Sequence, residues 1–209
     1  MHVSCTRALV VAACCAPALF ITPRADAALV SAGLFAPADG LLTHDTETDL
    51  AWLDLTPTAG LSYNQVSADA GGWLTLGFRY ATSAEVLALW TAAGMVSVNS
   101  SDDANIPAVD LLGSLMGTTP FFPGSPFTAT SALIADPGSA GFRLIGRLVN
   151  TPTNGHFNAW NSIPADATHV DNGNPVHSYL VADYNDVPAP PTFLAVGASL
   201  ALSPLRRRR

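Results

Sequence analysis

Thr82-Ser83-Ala84-Glu85-Val86-Leu87-Ala88-Leu89-Trp90-Thr91-Ala92-Ala93-Gly94 carries the clearest local signal in the chain. Thr82 followed three residues later by Glu85 makes a capping box, in which each side chain satisfies a backbone N–H left unpaired by the first helical turn. Val86, Leu89, Trp90 and Ala93 recur at i, i+3, i+4 and i+7, one apolar helix face, and Gly94 stops it. Upstream, 41–44 and 50–55 read as strands, joined by the polar run Asp45-Thr46-Glu47-Thr48-Asp49. Ser62 and Gln65 form a second capping box, starting a short helix toward Ala68 that Gly71-Gly72 breaks, and 76–81 reads as a further strand.

Downstream the pattern is less regular. Asn105-Ile106-Pro107 opens a helix carrying Val109, Leu112 and Met116 and ended by Gly117. Three prolines mark 118–126 as a loop, with Phe121, Phe122 and Phe127 expected to pack inward. The stretches 127–135 and 142–149 flank Asp136-Pro137-Gly138-Ser139-Ala140-Gly141, as an antiparallel hairpin would. Arg143 and Arg147 share one face of its second strand by their even spacing, expected to be the solvent face. Residues 150–174 are polar and turn-rich, and 176–182 is a closing strand that returns the chain to the sheet.

The termini read differently from this body. Arg7, an apolar core over 8–21 and the small residues Ala25-Asp26-Ala27 make a secretory leader, so the mature chain begins at Ala28. The alternative lipoprotein box Val11-Ala12-Ala13-Cys14 leaves an apolar core of only 8–13. Cys5, Cys14 and Cys15 all lie in the leader, so the exported body has no disulfide. It keeps three arginines and no lysine against fifteen acids, a net charge of −12 over 28–186. Such a body is a poor partner for nucleic acid or an anionic membrane surface. At the other end, Val187-Pro188-Ala189-Pro190 is held extended by its prolines and leads into an uncharged apolar run over 192–205. Arg206, Arg207, Arg208 and Arg209 follow, a cluster that resists translocation. At about 1.5 Å per residue the run reaches ~21 Å of a ~30 Å hydrocarbon core, and snorkelling arginines make up part of the gap. The expected organisation is a signal helix over 1–27, a body over 28–186 and a sorting tail with a membrane helix over 187–209. An ordinary tail anchor is the plainer alternative.

That tail resembles the sorting signal of PEP-CTERM proteins: a Val-Pro-Glu-Pro motif, an apolar helix and a closing arginine cluster. Here Ala189 stands where the family has Glu, and Pro191 and Pro204 are additional. The resemblance implies export from a Gram-negative cell and cleavage by signal peptidase. It implies an inner-membrane-anchored precursor and recognition by an exosortase, an enzyme linked to exopolysaccharide systems. The final location would be the cell envelope or extracellular matrix. Within the body, Trp52-Leu53-Asp54-Leu55, Leu61-Ser62-Tyr63 and Gly77-Phe78-Arg79-Tyr80-Ala81-Thr82 with Glu85 and Leu89 are similar to a pattern in exported PEP-CTERM proteins. The Arg79 to Glu85 piece also resembles C-type-lectin-like and formylglycine-generating-enzyme domains. This covers roughly a quarter of the chain, and it implies an α+β fold with a twisted antiparallel sheet and two or three short helices. Formylglycine-generating enzymes depend on cysteines, which the body lacks, so that activity does not transfer.

Candidate chemistry is sparse. His156, His169 and His177 with Asp171 and Asp183 invite a metal, but no H-x-x-x-H or H-E-x-x-H spacing occurs, and loop histidines are the expectation. Asp45, Glu47 and Asp49, or Asp183, Asn185 and Asp186, offer hard oxygens for calcium without a complete binding loop; no other cofactor is indicated. There is no G-x-S-x-G elbow, and Asp54 and Glu85 sit in structural elements. The leading expectation is a non-enzymatic surface or matrix protein associated with exopolysaccharide. A lectin-like module using Trp160, His169, Asp171 and Asn174 on late loops comes second, and an unrecognised hydrolase third.

Overall fold

The computed structural model describes residues 29–188 except 38, 121–127, 152–154 and 170–172. The expected signal helix and membrane helix, and Phe121, Phe122 and Phe127, lie outside the described residues. In chain order the strands are β1 (Leu29–Ala32), β2 (Leu42–Asp45), β3 (Leu50–Leu53), β4 (Arg79–Tyr80), β5 (Thr119–Pro120), β6 (Thr128–Pro137), β7 (Phe142–Thr151), β8 (Gly155–Pro164), β9 (His177–Ser178) and β10 (Leu180–Asp183). The helices are α1 (Tyr63–Ser67), α2 (Ser83–Ala92) and α3 (Ile106–Met116). The fold is α+β, but it contains two mainly antiparallel sheets. The first runs β1-β2-β3-β10-β4; the second runs β5-β6-β7-β8, with β9 added parallel to β6.

A single late segment joins them. His177 and Ser178 pair with Ala132 and Leu133 of β6, and then Leu180 to Asp183 pair with β3 on one side and β4 on the other. Tyr179 sits at the changeover: its N–H donates to the Leu133 carbonyl, and its own carbonyl accepts from Ala81 N–H. Ala135 N–H donates in turn to the Ala81 carbonyl. The expected closing strand is therefore present, and it closes both sheets.

Two apolar clusters follow from strand alternation. Trp52 and Val181 from the first sheet meet Ala132, Ile134 and Leu148 from the second, under α2 and α3. On the opposite faces, Leu42, Leu53 and Leu180 meet Leu133, Ile145 and Ile163, covered by Val66 of α1 and Phe78. Both sheets are thus buried on both faces near the junction. In the first cluster Trp90 stacks on Trp160 with ring centroids 5.0 Å apart, and Trp52 meets Tyr179 edge-on at 6.3 Å. Large rings of this kind bury about 150–250 Å² each. Gly146 makes their approach possible, because a Cβ there would lie 3.2–3.3 Å from Trp160, Trp90 and Tyr179.

The local elements obey their sequence signals. Thr82 Oγ1 accepts from Glu85 N–H, Glu85 Oε2 accepts from Thr82 N–H, and Val86, Leu89 and Trp90 point inward. Ser62 and Gln65 repeat the box at α1. Pro107 lies in the first turn of α3 and Gly117 (φ +82°) ends it, with Ala108, Val109, Leu112 and Met116 buried. Other expectations change. The strand expected over 76–81 shrinks to β4, because Leu76 and Gly77 N–H groups are taken by a turn on Gly72, Trp73 and Leu74. The polar stretch 150–174 contains β8, a full-length partner of β7. The expected solvent face of Arg143 and Arg147 is a covered one: the face they share with Ile145 meets the second cluster, Arg143 is half-buried and Arg147 buried.

Arg79 grips Glu85 with two guanidinium nitrogens, and this ion pair holds the carboxyl down at about 2. A depressed carboxyl adds stability that is complete above its ordinary value of 4.5 and is lost as pH falls through the folded value. Urea midpoints should therefore decline from pH 5 toward pH 2 (about the folded value), less so at high salt because Arg79 is half-exposed. Glu85→Gln should flatten that decline; an unchanged slope would remove Glu85 from the account.

Candidate functional site

The tail motif begins where the first sheet releases the chain. After β10 a 3₁₀ turn spans Tyr184–Asp186, Val187 packs against the second cluster, and Pro188 is exposed. The turn is clasped to the β2–β3 connection. Tyr184 N–H donates to the Asp49 carbonyl, and its ring lies on the His44 imidazole at 3.6 Å between centroids with a 6° interplanar angle. His44 Nε2 lies 3.0 Å from Asp49 Oδ1, and Asn185 Nδ2 donates to Asp49 Oδ2 at 2.6 Å. Asp49 adopts φ +58°, a left-handed conformation that aspartate tolerates better than most residues. Of the sorting residues, Val187 and Pro188 are thus placed; Ala189, Pro190 and Arg206 to Arg209 lie outside the described residues. So do the leader positions Ala25, Ala27 and Ala28.

The same contacts account for the calcium candidates. Asp45 is buried and its Oδ1 accepts from Glu47 and Thr48 N–H groups, so it shapes the turn from inside. Asp183 and Leu50 are paired neighbours, which brings the two acidic groups of the sequence to one sheet end. Among the described residues no group of three His, Cys, Asp or Glu is placed to hold a metal.

The histidines separate. His177, expected in a loop, is 3 % exposed; its Nδ1 bonds the Leu55 carbonyl at 2.8 Å, and burial pushes its pKa down. It belongs to a buried polar set in which Ser178 N–H donates to Thr58 Oγ1 and Tyr80 Oη bonds Ser178 Oγ. His169 is exposed beside Thr168 Oγ1. The side chain of His156 and all of Asp171 lie outside the described residues.

Of the lectin-like candidates, His169 and Asn174 lie at one turn, closed by the bridge of His169 to Pro175. Trp160 sits in β8, not a loop, with its N–H on Asn99 Oδ1 and its ring on Trp90. Asn174 is buried. Among the described residues, no hydrogen bond or ring contact joins Trp160, His169 and Asn174. Recesses among the described residues include one of about 250 Å³ between α3 and the second sheet, lined by Asp110, Ser114 and Thr130, and one of about 170 Å³ at the β6–β7 turn beside Arg143. Sequence reading missed the clasp and the Arg143 recess, because both join residues from separate elements.

No family model, curated protein or solved structure matches this chain. No helix among the described residues is long and apolar enough to cross a membrane.

If the clasp fixes the exit of the tail, His44→Ala and Tyr184→Ala should each destabilise the body. A double-mutant cycle should give a coupling of about 0.5–1.5 kcal/mol, the range for stacked rings. Additive losses in urea titrations would mean that the two rings lie together without contributing.

Proposed function

We propose that this chain is a non-enzymatic exported protein whose folded body is delivered to the cell envelope or extracellular matrix by its C-terminal sorting signal. The observation that carries the reading is the handover at Val187. The body finishes its last strand and turn, and the next residues in sequence are the proline-rich Val187-Pro188-Ala189-Pro190 run, the apolar segment and the arginine cluster. A proline-fixed segment suits an enzyme that binds extended substrate, and the terminal arginines suit retention on the cytoplasmic side until cleavage. Signal peptidase and an exosortase-type enzyme are the processing partners in this reading. The inner membrane holds the precursor, and extracellular polysaccharide is the environment of the product.

The absence of a catalytic role is supported by how the reactive side chains are used. Asp54 accepts from Thr56 N–H and Oγ1, Glu85 caps α2, and Ser178 and His177 are buried. Among the described residues the hydroxyl–histidine pair at Thr168 and His169 is a local, exposed contact without a carboxylate in its hydrogen bonds.

Replacing Arg206, Arg207, Arg208 and Arg209 together with glutamine should release the protein from the membrane fraction into periplasm or medium. The intact mass of the released form should begin at Ala28, after cleavage behind Ala27. Unchanged membrane association would overturn the tail reading, and a lipidated form beginning at Cys14 would overturn the leader reading.

A further inference from the structure

Among the described residues, Arg143 is a cation that no carboxylate accounts for. Arg79 is committed to Glu85 and Arg147 is buried in the second sheet, whereas the Arg143 guanidinium makes no hydrogen bond or ion pair to a described residue. The nearby carboxylates leave it alone: Asp136 accepts from Ser83 N–H, and Asp166, one residue beyond the recess lining, forms no ion pair. Yet Arg143 is held firmly. Its guanidinium carbon lies 4.2 Å from the centre of the Tyr63 ring, and Tyr63 is itself stacked on Tyr80 at 4.4 Å. Ser62 and Gln65 cap the helix that carries Tyr63, and Tyr80 is anchored on Ser178. A ring beneath a guanidinium fixes its plane and leaves its N–H edge for an in-plane acceptor.

This cation lines the 170 Å³ recess, whose remaining wall is Pro137 and the turn Gly138-Ser139-Ala140-Gly141 with Phe142 and Ala165. Gly138 and Phe142 N–H groups are used within the turn, but Ser139, Ala140 and Gly141 donate no backbone hydrogen bond to a described residue. Phe142 is 39 % exposed at the rim. A fixed guanidinium, uncommitted backbone donors and an exposed ring are complementary to a carboxylate carried on a small ring with an apolar face. The volume is below the ~300 Å³ at which drug-sized sites begin, so one ring fits and an extended polymer segment does not. The acidic body repels multiply charged ligands, which favours a single carboxylate.

We propose that the recess formed by Arg143 and the 138–142 turn is a binding subsite for one carboxylated ring, with a uronic acid as its natural type. This goes beyond export and sorting and does not depend on them. Titration of the ¹⁵N-labelled full-length chain with glucuronate should give saturable shifts in the amides of Ser139, Gly141 and Arg143, with a Kd on the order of 1 mM. Arg143→Gln should weaken binding about tenfold or more while leaving the thermal melt of the fold in place. Tyr63→Leu keeps the charge but removes its platform, and should weaken glucuronate more than it weakens acetate. Glucose, which lacks the carboxylate, should not shift these amides. Shifts equal for acetate and glucuronate would overturn the ring assignment. Absence of saturable shifts, or their survival in folded Arg143→Gln, would overturn the site.

Discussion

The structure depends on one crossing of the backbone at Tyr179. Residues 177–178 belong to the second sheet and 180–183 to the first, and the peptide groups of Tyr179 bond both Leu133 and Ala81. A fully buried N–H or C=O without a partner would cost about 1–3 kcal/mol, so the crossing can be buried only because both groups are satisfied. The side chain uses the same position. Its ring meets Trp52 of the first sheet edge-on and lies over Gly146 of the second, where Trp90 and Trp160 also converge. Burial pushes the Tyr179 pKa upward, in keeping with a hydroxyl removed from solvent. Helices α2 and α3 then pack as lids on a core that both sheets already share.

This arrangement explains where functional features are free to lie. The centre is occupied by packed rings and by the paired backbone of Tyr179, so the proposed roles sit at the margins. Sheet one ends in the His44, Asp49, Tyr184 and Asn185 clasp, which positions Val187 at the root of the tail. Sheet two ends in the β6–β7 turn, where Arg143 is held on Tyr63 beside a recess. Neither feature requires the body to move. On the proposed reading the fold is a carrier, with the sorting segment following Val187 in sequence and the proposed binding turn at the edge of the other sheet.

Much of the local structure was legible because its causes are local. Thr82 with Glu85, Ser62 with Gln65, and Pro107 with Gly117 mark helix ends by groups within a few residues. The hairpin of β6 and β7 and the return of the chain before the tail were also readable, from turn residues and apolar runs. What was not readable rests on distant partners. The ten residues of β8 are ordered by continuous pairing with β7 and not by a strong apolar pattern. His177 resembled a loop histidine because the carbonyl that satisfies it, on Leu55, lies 122 residues away. Asn185 and Asp49 are 136 residues apart, so the clasp had no sequence signal beyond two acidic runs. Arg143 and Arg147 were rightly given one face, but nothing local told that α1 and Phe78 would cover its surroundings.

Native-state amide hydrogen exchange tests the central role of the crossing most directly. The Tyr179, Ala81 and Ala135 amides should exchange only with global unfolding, together with the central amides of β3 and β7. Gly146→Ala, which crowds Trp90, Trp160 and Tyr179, should then lower protection in both sheets by the same amount, about 1–3 kcal/mol. Loss of protection confined to β6, β7 and β8, with β3 and β10 unchanged, would contradict a single core stitched at Tyr179.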